Sequence, residues 1–246
     1  MFNNITKRIN KLMVSSSPDL TLFNQQLKEF EKLSTTDRFK IDKDDLYPCL
    51  ADNTPNTGFD AHYIYHPAWA ARVVKAINPQ VHVDISSTLH FCSIISAFIK
   101  TDFYDYRPAI LNLNNLACKH ADLTKLTFQS NSISSLSCMH TIEHIGLGRY
   151  GDPIDPEGDI SAFNELKRVC AINGNLLIVV PVGVKKIRFN AHRIYNPHDI
   201  ITYMSGFDIV DFSFVNDQGS FIENGSLNDA ANQTYGCGCF WFKKIS

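Results

Sequence analysis

Three residues in the stretch SCMHTIEHIGLGRYGDP, His140, Glu143 and His144, are of the types that move protons or hold metal ions. In the order H-x-x-E-H on a helix, two imidazoles share one face with a carboxylate beside them, an arrangement suited to zinc. A third ligand would have to come from a distance, and Glu223 is a candidate by position. The flanking residues argue against a helix. ISSLSCM, just before, has the small and apolar character of a strand, and GLGRYG breaks any helix two residues after His144. The match is therefore read as coincidence, and no metal is expected. His140 is instead placed at the end of a strand as a candidate base, with Glu143 and His144 supporting it.

The next segment, Gly146 to Gly158, carries four glycines, two prolines and three acids, and is costly to order unless it packs or binds something. Arg149 and Tyr150 suit a sugar or phosphate, one by forked hydrogen bonds and the other by stacking. Asp152 and Asp155 could hold sugar hydroxyls or a hard cation, although turn formation by GDP and DPEGD explains them equally well. Farther on, RFNAHRIYNP adds Arg188, Asn190, His192 and Arg193. Two arginines close to a histidine fit an anionic substrate such as a nucleotide-linked sugar; ordinary surface charge is the plain alternative.

The elements that must position these groups are legible as a pattern. The chain has 246 residues, 44% hydrophobic and 20% charged, enough for one large α/β domain. A net charge of -2 gives no field that would draw nucleic acid. Seven scattered cysteines do not suggest a disulfide framework and fit a reducing cytoplasm; the close pair Cys237 and Cys239 reads as part of a buried strand. No run approaches the roughly 20 apolar residues of a membrane span. Near the start, Ile5, Ile9, Leu12 and Met13 fall on one helical face, which could lie on a membrane surface or pack on the domain.

Residues 1–60 read as a helical N-terminal extension with a helix near LTLFNQQLKEFEKL, and 61–246 as a single domain. In YHPAWAARVVKAI, Pro67 suits a first helical turn and Asn78-Pro79 a stop. VHVDIS reads as a strand, FCSIISAFIK as a helix, DFYDYRP and SISSLSCMH as strands. DISAFNELKRVC is a helix closed by Asn173-Gly174, and NLLIVVPVG is a strand covered on both faces. YNPHDIITYMSG is a helix capped by Asn196; FDIVDFSFVND and CGCFWFKKI are two alternating strands. The expected architecture is α/β, a Rossmann-like, doubly wound, mostly parallel sheet ending in an antiparallel strand pair.

That order of elements resembles the class I S-adenosylmethionine-dependent methyltransferases. VHVDIS sits where those proteins have their first strand and cofactor turn, Asp105 closes the second strand, and ADLTKLTFQSNSISSLSCMHTIEHI is similar to the segment where an aspartate, here Asp122, approaches the adenine. The resemblance implies S-adenosylmethionine as cofactor, with Asp84, Ser86, Asp105 and Asp122 binding it, and His140 as base with Glu143 and His144 in support. Arg149, Tyr150, Asp152, His192 and Arg193 would face the substrate. HTIEHIGLGRYGDPIDPEGD with RFNAHRIYNP is similar, more narrowly, to a methyltransferase-like domain-of-unknown-function family associated with bacterial polysaccharide gene clusters. This implies a cytoplasmic enzyme acting on a sugar, nucleotide-sugar or polysaccharide precursor, as a possible homo-oligomer or with a glycan-assembly partner. One departure is plain: the turn reads DISSTLHF, without glycine. It favours the alternative of a non-catalytic Rossmann-like scaffold in glycan assembly. A zinc-dependent hydrolase is the third reading.

Overall fold

In the computed structural model of the chain, short apolar strands and amphipathic helices alternate to build an eight-stranded sheet. The structure describes residues 18–36 and 38–246. The expected N-terminal helical face (Ile5, Ile9, Leu12, Met13) lies outside them. Two compact units divide the chain, Met1–Gly58 and Phe59–Ser246. The first holds helix α1 (Pro18–Leu33), with Asp19 in its first turn and Lys32 in its last, followed by a single 3-10 turn over Lys43–Asp45 capped by the Asp42 side chain.

The second unit opens with α2 (Ala61–Ile77), started by Asp60, whose carboxylate accepts from Tyr63 N, and stopped at Asn78 in the left-handed region. Pro67 therefore lies inside the helix and not in its first turn. The Asp60 cap moves the start upstream, and Pro67 simply forgoes one backbone bond. Then follow β1 (Val81–Ile85), α3 (Leu89–Ile95), β2 (Lys100–Asp105), β3 (Leu116–His120) and β4 (Ile133–Met139). The last part is α4 (Gly158–Val169), β5 (Cys170–Val182), the hairpin β6 (Lys186–Arg188) and β7 (His192–Ile194), α5 (Pro197–Tyr203), β8 (Phe207–Val215), β9 (Phe221–Ile222), α6 (Leu227–Ala231) and β10 (Gly236–Lys244). Helix α4 ends at Val169, earlier than Asn173-Gly174 suggests; that pair lies within the strand that follows, at the place where its register against β4 shifts.

The sheet runs β3-β2-β1-β4-β5-β10-β8-β9. Its first five strands pair in parallel, and β10 enters antiparallel between β5 and β8. Both faces are covered, and β5 shows it by alternation. Leu176, Ile178 and Val180 meet Phe163 and Leu166 of α4, while Leu177 and Val179 meet Trp69 and Val73 of α2. Cys237 and Cys239 are buried on β10, and all seven cysteines are unpaired.

A buried polar chain joins the two central strands. Ser135 and Ser137 on β4 each lie 2.8 Å from a ring nitrogen of His82 on β1, and Ser137 Oγ donates onward to Asp84. None of the four has exposed surface. Burial holds His82 neutral by pushing its pKa down to about 3, and pushes Asp84 up to about 6 against the hydrogen bonds from Ser137 and Ser87.

The two groups act on stability with opposite sign. His82, lowered from 6.5, stabilises above pH 6.5, and this is lost as pH falls toward 3; Asp84, raised from 3.8, stabilises below 3.8, and this is lost as pH rises through 6. Comparing wild type with His82→Gln isolates the first. The stability advantage of the wild type should shrink by about 1.4 kcal/mol per pH unit below 6.5 in urea titrations. An advantage that stays constant from pH 7 to pH 4 would refute a buried neutral His82. Gly146 offers a second test, at φ +79°, where a Cβ would lie 1.9 Å from Asp155 O. Gly146→Ala should cost about 1–3 kcal/mol, read as a fall in Tm, and an unchanged Tm would contradict the close approach.

Candidate active site

The carboxyl ends of β1, β2 and β4 open onto a cleft of about 350 Å³ lined by Ser86, Asp105, Asp122, His140, His144, Tyr150 and Asp152, with Arg107 and Asp155 among others. This is where a doubly wound sheet binds ligands, and the volume suits a small molecule. Two residues that leave adjacent strands, Ser86 after β1 and His140 after β4, have φ of 58° and 55°. Left-handed backbone at a serine and a histidine costs about 1–2 kcal/mol each and is held here by local bonds. Thr141 Oγ1 donates to Ser86 O at 2.7 Å, and Met139 N donates to Ser87 Oγ at 2.9 Å. Ser86 thus makes the sharp turn without glycine. Its N–H is spent on Tyr104 O at 2.7 Å, and that of Ser87 on Asp84 Oδ1 at 3.0 Å.

The expected cofactor residues divide. Ser86, Asp105 and Asp122 reach the cleft; Asp84 does not line it and lies buried beneath the turn that it braces. Asp105 Oδ1 accepts from Arg107 N at 2.7 Å. Asp122 Oδ1 accepts from Thr124 N and Oγ1 at 2.9 and 2.7 Å, closing a local turn.

The catalytic candidates gather around Glu143. After His140, only Ile142–His144 make a single 3-10 turn, so the H-x-x-E-H residues do not lie on an α-helix. His140 Nδ1 is 2.9 Å from Glu143 Oε1 and its Nε2 is 3.3 Å from Cys237 Sγ, which engages both ring nitrogens. Burial opposes charge on His140, but the sulfur and the carboxylate raise its pKa. Burial pushes the Cys237 thiol up. With no exposed surface, that thiol is no nucleophile toward a substrate in the cleft. His144 differs. Its Nδ1 donates to Ala191 O at 2.6 Å, which leaves the lone pair on Nε2, 3.7 Å from Glu143 Oε1. Glu143 is buried, and its Oε2 has no hydrogen-bond partner. Glu223, offered as a distant third ligand, is exposed after β9 and stands outside this group.

Of the expected substrate residues, two prove to be braces. Asp152 accepts from Gly146 N, Gly148 N and Tyr150 N at 2.8, 3.3 and 3.2 Å. Burial opposes its charge, but these N–H groups outweigh it and hold the pKa below the ordinary carboxylate value. Arg193, buried, donates to Ile145 O at 2.6 Å and Pro156 O at 3.1 Å, so the β7 hairpin strand clamps both ends of the loop. Tyr150 sits within 4.8 Å of the Arg107 guanidinium and 5.1 Å of the Arg149 guanidinium. Arg149 also donates to Ala191 O at 3.1 Å. His192 packs 5.0 Å from Tyr235, and its Nε2 is buried without a hydrogen-bond partner. Burial lowers its pKa, as do the nearby arginines and His144.

Sequence reasoning missed Arg107, His62, Tyr63 and His66. His62 and His66 lie one helical turn apart on α2, a spacing visible in the sequence, but nothing there links them to His140. Tyr63 stacks 5.2 Å from the His140 ring, and His66 meets it edge-on at 4.9 Å. His66 is fully buried, and burial with the neighbouring His140 pushes its pKa down to about 3.

Among solved structures, a candidate methyltransferase from Bacillus halodurans C-125 superposes with a TM-score of 0.53 at 13% identity, covering 73% of this chain and 99% of that one. The YcgJ protein from Bacillus subtilis superposes at 0.51 and 11% identity, covering 74% and 100%. At such identities the likeness is one of fold, the Rossmann-like methyltransferase fold. No curated protein matches the chain. A family described as Caenorhabditis protein of unknown function, DUF268, matches residues 95–237, a span that includes Asp105, Asp122, His140, Glu143 and His144. Since the match takes in more than half of the chain, this protein belongs to the DUF268 family.

Proposed function

We propose that the protein is an S-adenosylmethionine-dependent methyltransferase acting on a sugar, nucleotide-sugar or polysaccharide precursor. The observation that carries this reading is the cleft at the strand ends, where the Asp105 and Asp122 carboxylates and the left-handed Ser86 turn share one wall system with His144. The residues fit such a cofactor: Asp105 offers acceptors to ribose hydroxyls, Asp122 flanks the far side, and Ser86 folds the turn as a glycine would. When bound, the cofactor supplies an electrophilic methyl group. His144 acts as the base, taking the acceptor's proton on Nε2, while Ala191 O fixes its tautomer and Glu143 supports the imidazolium. His140, with both nitrogens engaged, positions Glu143. Tyr150, with Arg107 and Arg149 beside it, offers a flat face and positive charge to an anionic sugar.

A non-catalytic binding domain is the second reading, favoured by the inward use of both turn amides, Ser86 N and Ser87 N. Calorimetry with S-adenosylmethionine and S-adenosylhomocysteine separates the two. Binding is expected, and Asp105→Asn should weaken it by about tenfold or more, the worth of a hydrogen bond to a charged group. Folded protein that gives no heat at millimolar ligand would sink the methyltransferase reading.

With an acceptor found among nucleotide sugars, His144→Ala should cut turnover by about 10²–10⁴ while leaving cofactor affinity nearly unchanged. Turnover unaffected by that change would remove His144 as the base.

A further inference from the structure

Around the end of β4 the chain gathers more nitrogen and sulfur donors than methyl transfer uses. One ring nitrogen each of His62 and His140 and the sulfur of Cys237 lie within 4.8 Å of one another. They come from three separate elements: the first turn of α2, the end of β4 and the start of β10. We propose that His62, His140 and Cys237 form a binding site for one zinc-class divalent cation, with Glu143 orienting His140.

The ligand chemistry selects the ion. Two imidazoles and a thiolate are borderline-soft donors that suit zinc over magnesium or calcium, which prefer oxygen. Metal–nitrogen bonds of about 2.0–2.1 Å and metal–sulfur bonds of about 2.3 Å in a tetrahedron place neighbouring donors about 3.3–3.6 Å apart. His140 Nε2 and Cys237 Sγ already stand 3.3 Å apart. His62 is half-buried and closes the remaining gap by a side-chain adjustment.

Two further observations point to a ligand here. Glu143 Oε1 holds Nδ1 of His140 at 2.9 Å, which aims Nε2 at the sulfur; a carboxylate behind the imidazole is the support that metal-binding histidines use. His66 donates from Nδ1 to His62 O at 2.6 Å, so its lone pair is on Nε2, and that atom is buried without a hydrogen-bond partner. Its ring lies 4.9 Å from that of His140. His66 stands behind His140 and outside the set of three, and a water would supply the fourth position of the tetrahedron. This set shares only His140 with the H-x-x-E-H order, because His144 is turned to Ala191 O.

The test uses the full chain, stripped of metal and titrated with Co²⁺ as a spectroscopic probe, then with Zn²⁺ in competition. One equivalent of Co²⁺ should bind with a thiolate-to-cobalt charge-transfer band and the intense visible bands of a tetrahedral site, and Zn²⁺ should displace it. Cys237→Ser should lose the charge-transfer band. His62→Ala, at a half-buried position that spares the core, should weaken binding at least about tenfold, and Glu143→Gln by about 10–100-fold with the band retained. Circular dichroism confirms that each variant is folded, and if Cys237→Ser is not, His62→Ala decides the matter. Less than about a tenth of an equivalent bound, a band that survives in folded Cys237→Ser, or loss of binding in Glu223→Ala would overturn the site. None of these readouts involves S-adenosylmethionine, so failure here leaves the cofactor reading intact, and the reverse holds as well.

Discussion

Asp84 has no exposed surface, yet it sits at the carboxyl end of the first strand, where the sheet must open into a cleft. A buried carboxyl is tolerated only when its oxygens are bonded, and here Ser137 and Ser87 meet them. Those two bonds tie β1 to β4 and fix the turn after β1. Ser87 in turn accepts from Met139 N, and Thr141 reaches back to Ser86 O, so the turns that follow both strands are one stitched unit. Two residues in left-handed backbone, Ser86 and His140, follow from that stitching. The strain there is held by these bonds, and it brings Ser86 and His140 side by side on the wall of the cleft.

The loop after β4 is governed by the same requirement at the surface. Gly146, Gly148 and Tyr150 turn their N–H groups onto Asp152, and Arg193 takes the carbonyls of Ile145 and Pro156. Charged side chains that look ready for a substrate are instead the framework of the loop. What the framework leaves facing the cleft is Tyr150 with two guanidiniums near it, and His144 held by Ala191 O. Shape and charge at the rim are thus consequences of how the loop satisfies its own backbone.

Behind the cleft wall the chain concentrates imidazoles about one carboxylate. His140 and His144 both approach Glu143, while His62 and His66 approach His140 from α2. Such a cluster of buried donors is expensive without partners. Three of its atoms, Glu143 Oε2, His66 Nε2 and His192 Nε2, are buried without a hydrogen-bond partner, which makes this the most unsatisfied region among the described residues of the second unit.

Periodicity and punctuation in the sequence were enough for the elements that pack. The apolar run of β5, the Asn196-Pro197 start of α5 and the alternation of β8 and β10 each follow from local rules of helix and strand, and their order implied a parallel sheet with an antiparallel end. Boundaries set by caps across a turn were less legible. Asp60 moved the start of α2 upstream of Pro67, and Asn173-Gly174 became a feature of β5. For the site, the sequence by itself determined that carboxylates and histidines fall at strand ends, because strand direction decides where loops lie. Only the tertiary structure decided which of them line the cleft. Asp84, Asp152 and Arg193 were drawn into bracing, since buried backbone and carboxyl groups must be paired. His62 and Cys237 reached His140 from 78 and 97 positions away, across a helix and a sheet whose packing no local pattern encodes.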